Sequence, residues 1–126
     1  MLGDHPIDVV LLAADLEASK EFYARKVGLK VLSDSPGAVV FHCGGDSRLV
    51  LSKSSVGTND EQTQASFRVS DLRAELAELR SRGVKIEDYD LPGLKTEDGV
   101  ADIGFAWMAW FLDPGKNCVG MMQVKT

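Results

Sequence analysis

Two kinds of hydrophobic spacing alternate along the chain, and the alternation occurs twice. Residues 8–16, "DVVLLAADL", read as a strand running into an Asp-Leu pair, and residues 64–72, "QASFRVSDL", match them in register. In the second copy Ala65, Phe67 and Val69 alternate with Gln64, Ser66, Arg68 and Ser70, the period-two pattern of a half-buried strand. Beyond each Asp-Leu the period becomes helical. Leu72, Leu76 and Leu79 fall on one helix face, with Asp71 as N-cap and Gly83 as C-cap. In the first copy Asp15 caps, Leu16, Ser19, Phe22, Tyr23 and Val27 make the stripe, and Gly28 stops it. "LKVL" (29–32) and "VKIE" (84–87) then predict a second strand in each copy. Two further strands follow in each. "AVVFHC" (38–43) and "RLVLSK" (48–53) flank Gly44-Gly45-Asp46, and "FAWMAWFL" (105–112) and "NCVGMMQV" (117–124) flank Asp113-Pro114-Gly115. In the second turn Pro114 presets φ, and Gly115 is expected to supply the positive φ.

The pattern predicts an α+β fold of two βαβββ modules, about 6–53 and 64–124, within one domain spanning 1–126. The polar stretch "SSVGTNDEQT" (54–63) is the expected linker. "DLPGLKTEDGVADIG" (90–104) is expected to be a long loop, either a lid or disordered.

Composition narrows the classes of function. A chain of 126 residues suits one compact domain, and 44% apolar with 26% charged residues is ordinary globular usage. The first residues, "MLGDHPIDVVLLAADL", lack a basic region before the apolar run, and Asp15 interrupts it. The expectation is therefore no signal peptide, no membrane span and a cytoplasmic location. A net charge of −5 argues against nucleic acid and anionic membranes as partners. Cys43 and Cys118 form no CxxC, and with His5 and His42 they do not make a zinc site of ordinary spacing. Both are expected to be buried, reduced thiols.

Two segments carry a family resemblance. "DLEASKEFYARKVGLKVL" (15–32) resembles the strand-to-helix signature of the vicinal oxygen chelate superfamily, which includes glyoxalase I, extradiol dioxygenases, epimerases, and fosfomycin-resistance and bleomycin-binding proteins. "FLDPGKN" (111–117) resembles its Phe-x-Asp-Pro-x-Gly-Asn turn, with Gly and Lys in altered order. The resemblance implies curved mixed sheets with helices on their convex faces. The concave faces would enclose a pocket, paired within one chain or exchanged across a homodimer.

The resemblance also implies four positions at which metal-dependent members place ligands, on the first and last strand of each module. Here they read Asp8, Val50, Gln64 and Gly120. Val and Gly have no donor side chain, and the other two are weak, so no metal or other cofactor is expected. Strand parity adds Val10, Leu12 and Val40 with His42 in the first module, and Ser66, Arg68, Cys118 and Met122 in the second. Trp107 and Trp110, three apart on one strand, point to opposite faces, so one of them lines the pocket. Arg68 either pairs with Asp8 or another carboxylate, or anchors an anion. His42 is either a hydrogen-bonded structural histidine or a general base. Cys118 reads as a packed hydrophobe rather than a nucleophile.

Apolar walls with a few polar groups suit a small molecule. The expected function is metal-independent binding of a small aromatic or amphipathic ligand, in the manner of bleomycin-resistance proteins, by a homodimer. One alternative is a glyoxalase-like lyase, isomerase or epimerase, or a dioxygenase-related enzyme, with a relocated metal or His42 as base. Another is an accessory subunit that fills the pocket with its own side chains.

Overall fold

The computed structural model describes residues 1–55, 57–58 and 62–126. Of the expected linker 54–63, residues 56 and 59–61 lie outside the described residues. The chain forms two compact units, Met1–Asp60 with Pro114–Asn117, and Glu61–Asp113 with Cys118–Thr126. The turn 114–117, expected in the second module, thus groups with the first unit.

The first unit contains β1 (Asp8–Ala13), α1 (Leu16–Glu21), β2 (Lys30–Ser35), β3 (Ala38–His42) and β4 (Arg48–Lys53), with sheet order β1-β4-β3-β2. β1 and β4 are parallel and the other pairs antiparallel. One face is the core: Leu11, Leu49, Leu51, Val39 and Phe41 are buried, and α1 packs on β3 and β4. The Asp15 carboxylate accepts the Ala18 N–H at 3.0 Å, the capping bond the sequence predicts. The helix does not continue regularly to Val27. From Phe22 to Val27 it widens into a π-helix, which ends at Gly28 with φ 85°. The Gly28 and Leu29 N–H groups both donate to the Tyr23 carbonyl. Tyr23 is buried and its ring lies 5.9 Å from that of Phe41.

The second unit contains β5 (Thr63–Arg68), α2 (Leu72–Ser81), β6 (Asp90–Leu91), β7 (Leu94–Glu97), β8 (Val100–Asp102), β9 (Ala106–Leu112) and β10 (Cys118–Val124). Their order is β5-β10-β9-β8-β7-β6. Leu72, Leu76 and Leu79 are the buried residues of α2, as their spacing requires, and Asp71 caps it by accepting the Ala74 N–H.

Two expectations fail here. "VKIE" (84–87) forms no ladder strand; it keeps one bond to β9, from the Glu87 N–H to the Trp110 carbonyl at 2.9 Å. The stretch 90–104 is not one long loop, since β6, β7 and β8 are built from it, and β8 takes the place beside β9. Side chains close this segment locally. Asp88 Oδ1 accepts from the Thr96 hydroxyl at 3.0 Å and from the Gly99 N–H at 2.9 Å, and Thr96 Oγ1 accepts the Tyr89 N–H at 2.8 Å. Such side-chain-to-backbone bonds leave no hydrophobic period to read.

The turn after β9 departs from expectation as well. The positive φ falls on Lys116, at 65°, and not on Gly115. The altered Gly-Lys order therefore places a lysine in a left-handed conformation that favours glycine. The Gly115 carbonyl instead accepts the Thr58 N–H at 3.1 Å. Asn117, buried in the same turn, donates from Nδ2 to the Leu12 carbonyl at 2.8 Å and accepts the Thr58 hydroxyl at 2.6 Å.

Candidate functional site

The face of the first sheet turned away from α1 is organised in rows across the strands. One row is Asp8, Arg48 and His42, the next Val10, Val50 and Val40, and the third Leu12, Ser52 and Ala38. Alternation along each strand puts these residues opposite the buried set. Val10 is 58% exposed and Leu12 40%, so the face presents apolar side chains to solvent.

The polar row is tied together. Arg48 donates to Asp8 through both arms of its fork, Nε to Oδ1 at 3.1 Å and Nη2 to Oδ2 at 2.7 Å. That bond holds the Asp8 carboxyl below its ordinary range and pushes the Arg48 guanidinium up. The partner of Asp8 is thus Arg48 and not Arg68. The sequence contains the signal, because parallel β1–β4 pairing sets Asp8 beside Arg48, but parity within single strands does not reveal it. His42 Nε2 lies 2.9 Å from the Gly45 carbonyl oxygen, so Nε2 carries the proton and braces the β3–β4 hairpin.

The corresponding face of the second sheet is filled around Gly120, while Thr63, Ser66, Arg68 and Leu112 on it stay exposed. Its rows are Thr63, Cys118 and Leu112; Ser66, Gly120 and Trp110; and Arg68, Met122 and Met108. Trp110, only 7% exposed, packs with Ala101 and Cys118, and Tyr89, Leu94 and Met108 close around them. The Tyr89 and Trp110 rings meet edge to face, with centroids 5.5 Å apart. Between the two tryptophans the structure thus decides plainly. Trp110 shares the Gly120 face, whereas Trp107 pairs across the ladder with Gln123 on the helix side.

Gly120 lies under this indole. A Cβ there would meet Trp110 Nε1 at 3.3 Å, Ser66 Oγ at 3.4 Å and Thr63 Cγ2 at 3.4 Å. Thr63 reaches this spot because the β5–β10 ladder is irregular. Cys118 pairs with Thr63 and Val119 with Ala65, which leaves Gln64 without a ladder partner. Simple alternation had put Gln64 on one face with Ser66 and Arg68. In the structure Thr63 takes the position beside Trp110, accepting its indole N–H at 3.1 Å, and the Gln64 amide oxygen accepts the Cys118 N–H at 2.8 Å. A bulge of this kind leaves no mark on strand parity.

Both cysteines are free; Cys118 is buried and Cys43 half-buried. Burial pushes both thiols up, which keeps them protonated and poorly nucleophilic. Among the described residues no helix is long and apolar enough to cross a membrane.

Comparison with known proteins adds the following. The profile of the Glyoxalase/Bleomycin resistance protein/Dioxygenase superfamily matches residues 6–119. A glyoxalase/bleomycin resistance protein/dioxygenase from Alicyclobacillus acidocaldarius superposes with a TM-score of 0.73 at 18% identity, over 98% of this chain and 93% of its own. An antibiotic-binding protein from Streptomyces sp. CB03234 gives a TM-score of 0.65 at 25% identity, over 96% of each chain. Lactoylglutathione lyase from Agrobacterium tumefaciens gives 0.64 at 22% identity, over 93% of this chain and 91% of its own. No curated protein matches in sequence.

Proposed function

The chain belongs to the Glyoxalase/Bleomycin resistance protein/Dioxygenase superfamily, and we propose that within it this protein binds a small aromatic or amphipathic molecule without a metal ion. The open face of the first unit carries the reading. Its middle row, Val10, Val50 and Val40, is wholly apolar, and a row of three polar side chains runs beside it. Apolar surface with a few orienting polar groups is the ordinary make-up of a small-molecule site. Covering about 200 Å² of such surface contributes about 5 kcal/mol before the costs of association. The guanidinium of Arg48, half-exposed and already oriented by Asp8, is placed to receive the ligand's polar end.

The residues at the superfamily's metal positions do not fit a divalent ion. Asp8 is engaged by both arms of Arg48, and the Gln64 amide oxygen by the backbone of Cys118. Val50 and Gly120 offer no donor. A catalytic site of this kind needs about three protein ligands. That a protein of similar fold from Streptomyces sp. CB03234 binds an antibiotic supports a binding role.

The test uses N-phenyl-1-naphthylamine, a neutral fluorescent aromatic, with protein purified without chelators. Saturable binding, unchanged by EDTA or added Zn²⁺ and weakened at least tenfold by Val10→Asp, is the expected result. Binding that requires a divalent ion, or that ignores Val10→Asp, overturns the proposal. Val10 is exposed, so the substitution leaves the core intact.

A further inference from the structure

The helix side of the second unit carries a groove that the proposed function does not use. Two hollows, of about 240 and 370 Å³, share Arg73, Val100 and Trp107 in their walls. Asp71, Leu72 and Gln123 complete one, and Lys95, Glu97 and Asp102 the other. Trp107 is half-buried between them, so part of its ring remains accessible. This groove lies on the opposite side of β9 from Trp110, because side chains three apart on a strand point opposite ways.

Its charges are only partly paired with one another. Asp102 is already committed, to the Lys125 ammonium at 2.7 Å and the Gly104 N–H at 2.9 Å. Lys125 in turn sits 4.9 Å from the centre of the Trp107 ring, a cation–π contact. Arg73 and Lys95 are exposed and make no ion pair among the described residues. In and beside the groove three cations, Arg73, Lys95 and Lys125, face three carboxylates, Asp71, Glu97 and Asp102, of which Asp71 caps α2 and Asp102 is held by Lys125.

We propose that this groove binds a small planar aromatic carboxylate, its ring against Trp107 and Val100 and its carboxylate on Arg73 with Lys95. A guanidinium fork matches the two oxygens of a carboxylate, which gives the polar end a defined orientation. A cationic ligand would set like charge against the unpaired Arg73 and Lys95. A neutral aromatic would leave the free guanidinium and ammonium without a partner. The hollows are of the size of small-ligand clefts, roughly 300–1,000 Å³ when taken together.

Heteronuclear NMR on the full chain separates this site from the first. The two indole N–H signals are assigned by the loss of one in Trp107→Phe. Titration with 1-naphthoate is expected to move the Trp107 signal saturably and to leave the Trp110 signal in place. Acetate, which lacks the ring, and 1-naphthalenemethanol, which lacks the charge, are each expected to bind at least tenfold more weakly. Arg73→Gln is expected to raise the Kd at least tenfold, and Lys95→Gln to raise it by a smaller factor. The proposal is overturned if the Trp107 signal shows no saturable shift, if only the Trp110 signal moves, or if Arg73→Gln leaves the Kd unchanged. Failure here leaves the neutral-ligand result on the first unit untouched, and the reverse also holds.

Discussion

Replacing Gly120 with glutamate places a carboxylate where metal-dependent relatives of the resemblance would have one, and the structure says it will not be accommodated. The first atom added, Cβ, lies 3.3 Å from Trp110 Nε1 and 3.4 Å from Ser66 Oγ and Thr63 Cγ2. Gly120 does not use a positive φ, so backbone strain is not the obstacle. Gly120→Ala is the control. It shifts the indole by a few tenths of an ångström and strains its bond to Thr63, a loss of up to about 1 kcal/mol. The less flexible unfolded chain offsets about 0.4–1 kcal/mol of that, so alanine should change stability by less than about 1 kcal/mol. Glutamate cannot stop at Cβ. Its remaining atoms must expel Trp110, now 7% exposed, from its cluster with Ala101, Cys118 and Tyr89. Exposing half of the roughly 200 Å² that a tryptophan buries costs about 2.5 kcal/mol. An unpaired, partly desolvated carboxylate adds about 1–3 kcal/mol. The expected loss is about 3.5–5.5 kcal/mol, read from urea unfolding of the two variants beside the parent, with tryptophan fluorescence reporting displacement of the ring. If Gly120→Glu unfolds within about 1 kcal/mol of the parent, the packing argument is refuted.

Other expectations concern the turn and the polar row. Lys116→Gly should stabilise the fold by about 0.5–1 kcal/mol, because the left-handed conformation costs a non-glycine residue about 1–2 kcal/mol and glycine's extra unfolded-state freedom returns only part of this; a lower Tm in the variant would contradict it. Asn117→Ala should cost about 1–3 kcal/mol in chemical denaturation, since it removes the bonds to Leu12 and Thr58 at a buried position. A loss under 1 kcal/mol would show that the turn is not held this way. The Asp8 carboxyl, held low by Arg48, should titrate by NMR below the ordinary value of about 3.9. Its pairing therefore supports the native state above the unfolded carboxyl range and is lost as pH falls through the lowered midpoint. In Arg48→Gln the midpoint should return towards the ordinary value, and an unchanged midpoint would refute the assignment.

Helices and most strands were legible because they rest on local rules. The stripe Leu72, Leu76, Leu79 and the caps Asp15 and Asp71 act within a few residues, and the hairpin at Gly44–Gly45 is turn chemistry. Alternation likewise sorted β1 and β3 into a buried face and an open one, so the positions of Val10, Leu12 and Val40 were readable from spacing, while Val50 came from the family resemblance. The segment 84–104 was not readable, because Asp88, Thr96 and Gly99 order it through side-chain bonds rather than through a hydrophobic period.

What required the folded chain was every feature that joins residues distant in sequence. Arg48 finds Asp8 forty positions away through the parallel β1–β4 register. Thr63 reaches Trp110 because the ladder slips at Cys118, and no single-strand pattern encodes a slip in its partner. The choice of Trp110 over Trp107 for the Gly120 face follows from the β9–β10 register. The sequence shows that Gly120 lacks a donor. Only the packing shows that an indole occupies the space where a donor would stand.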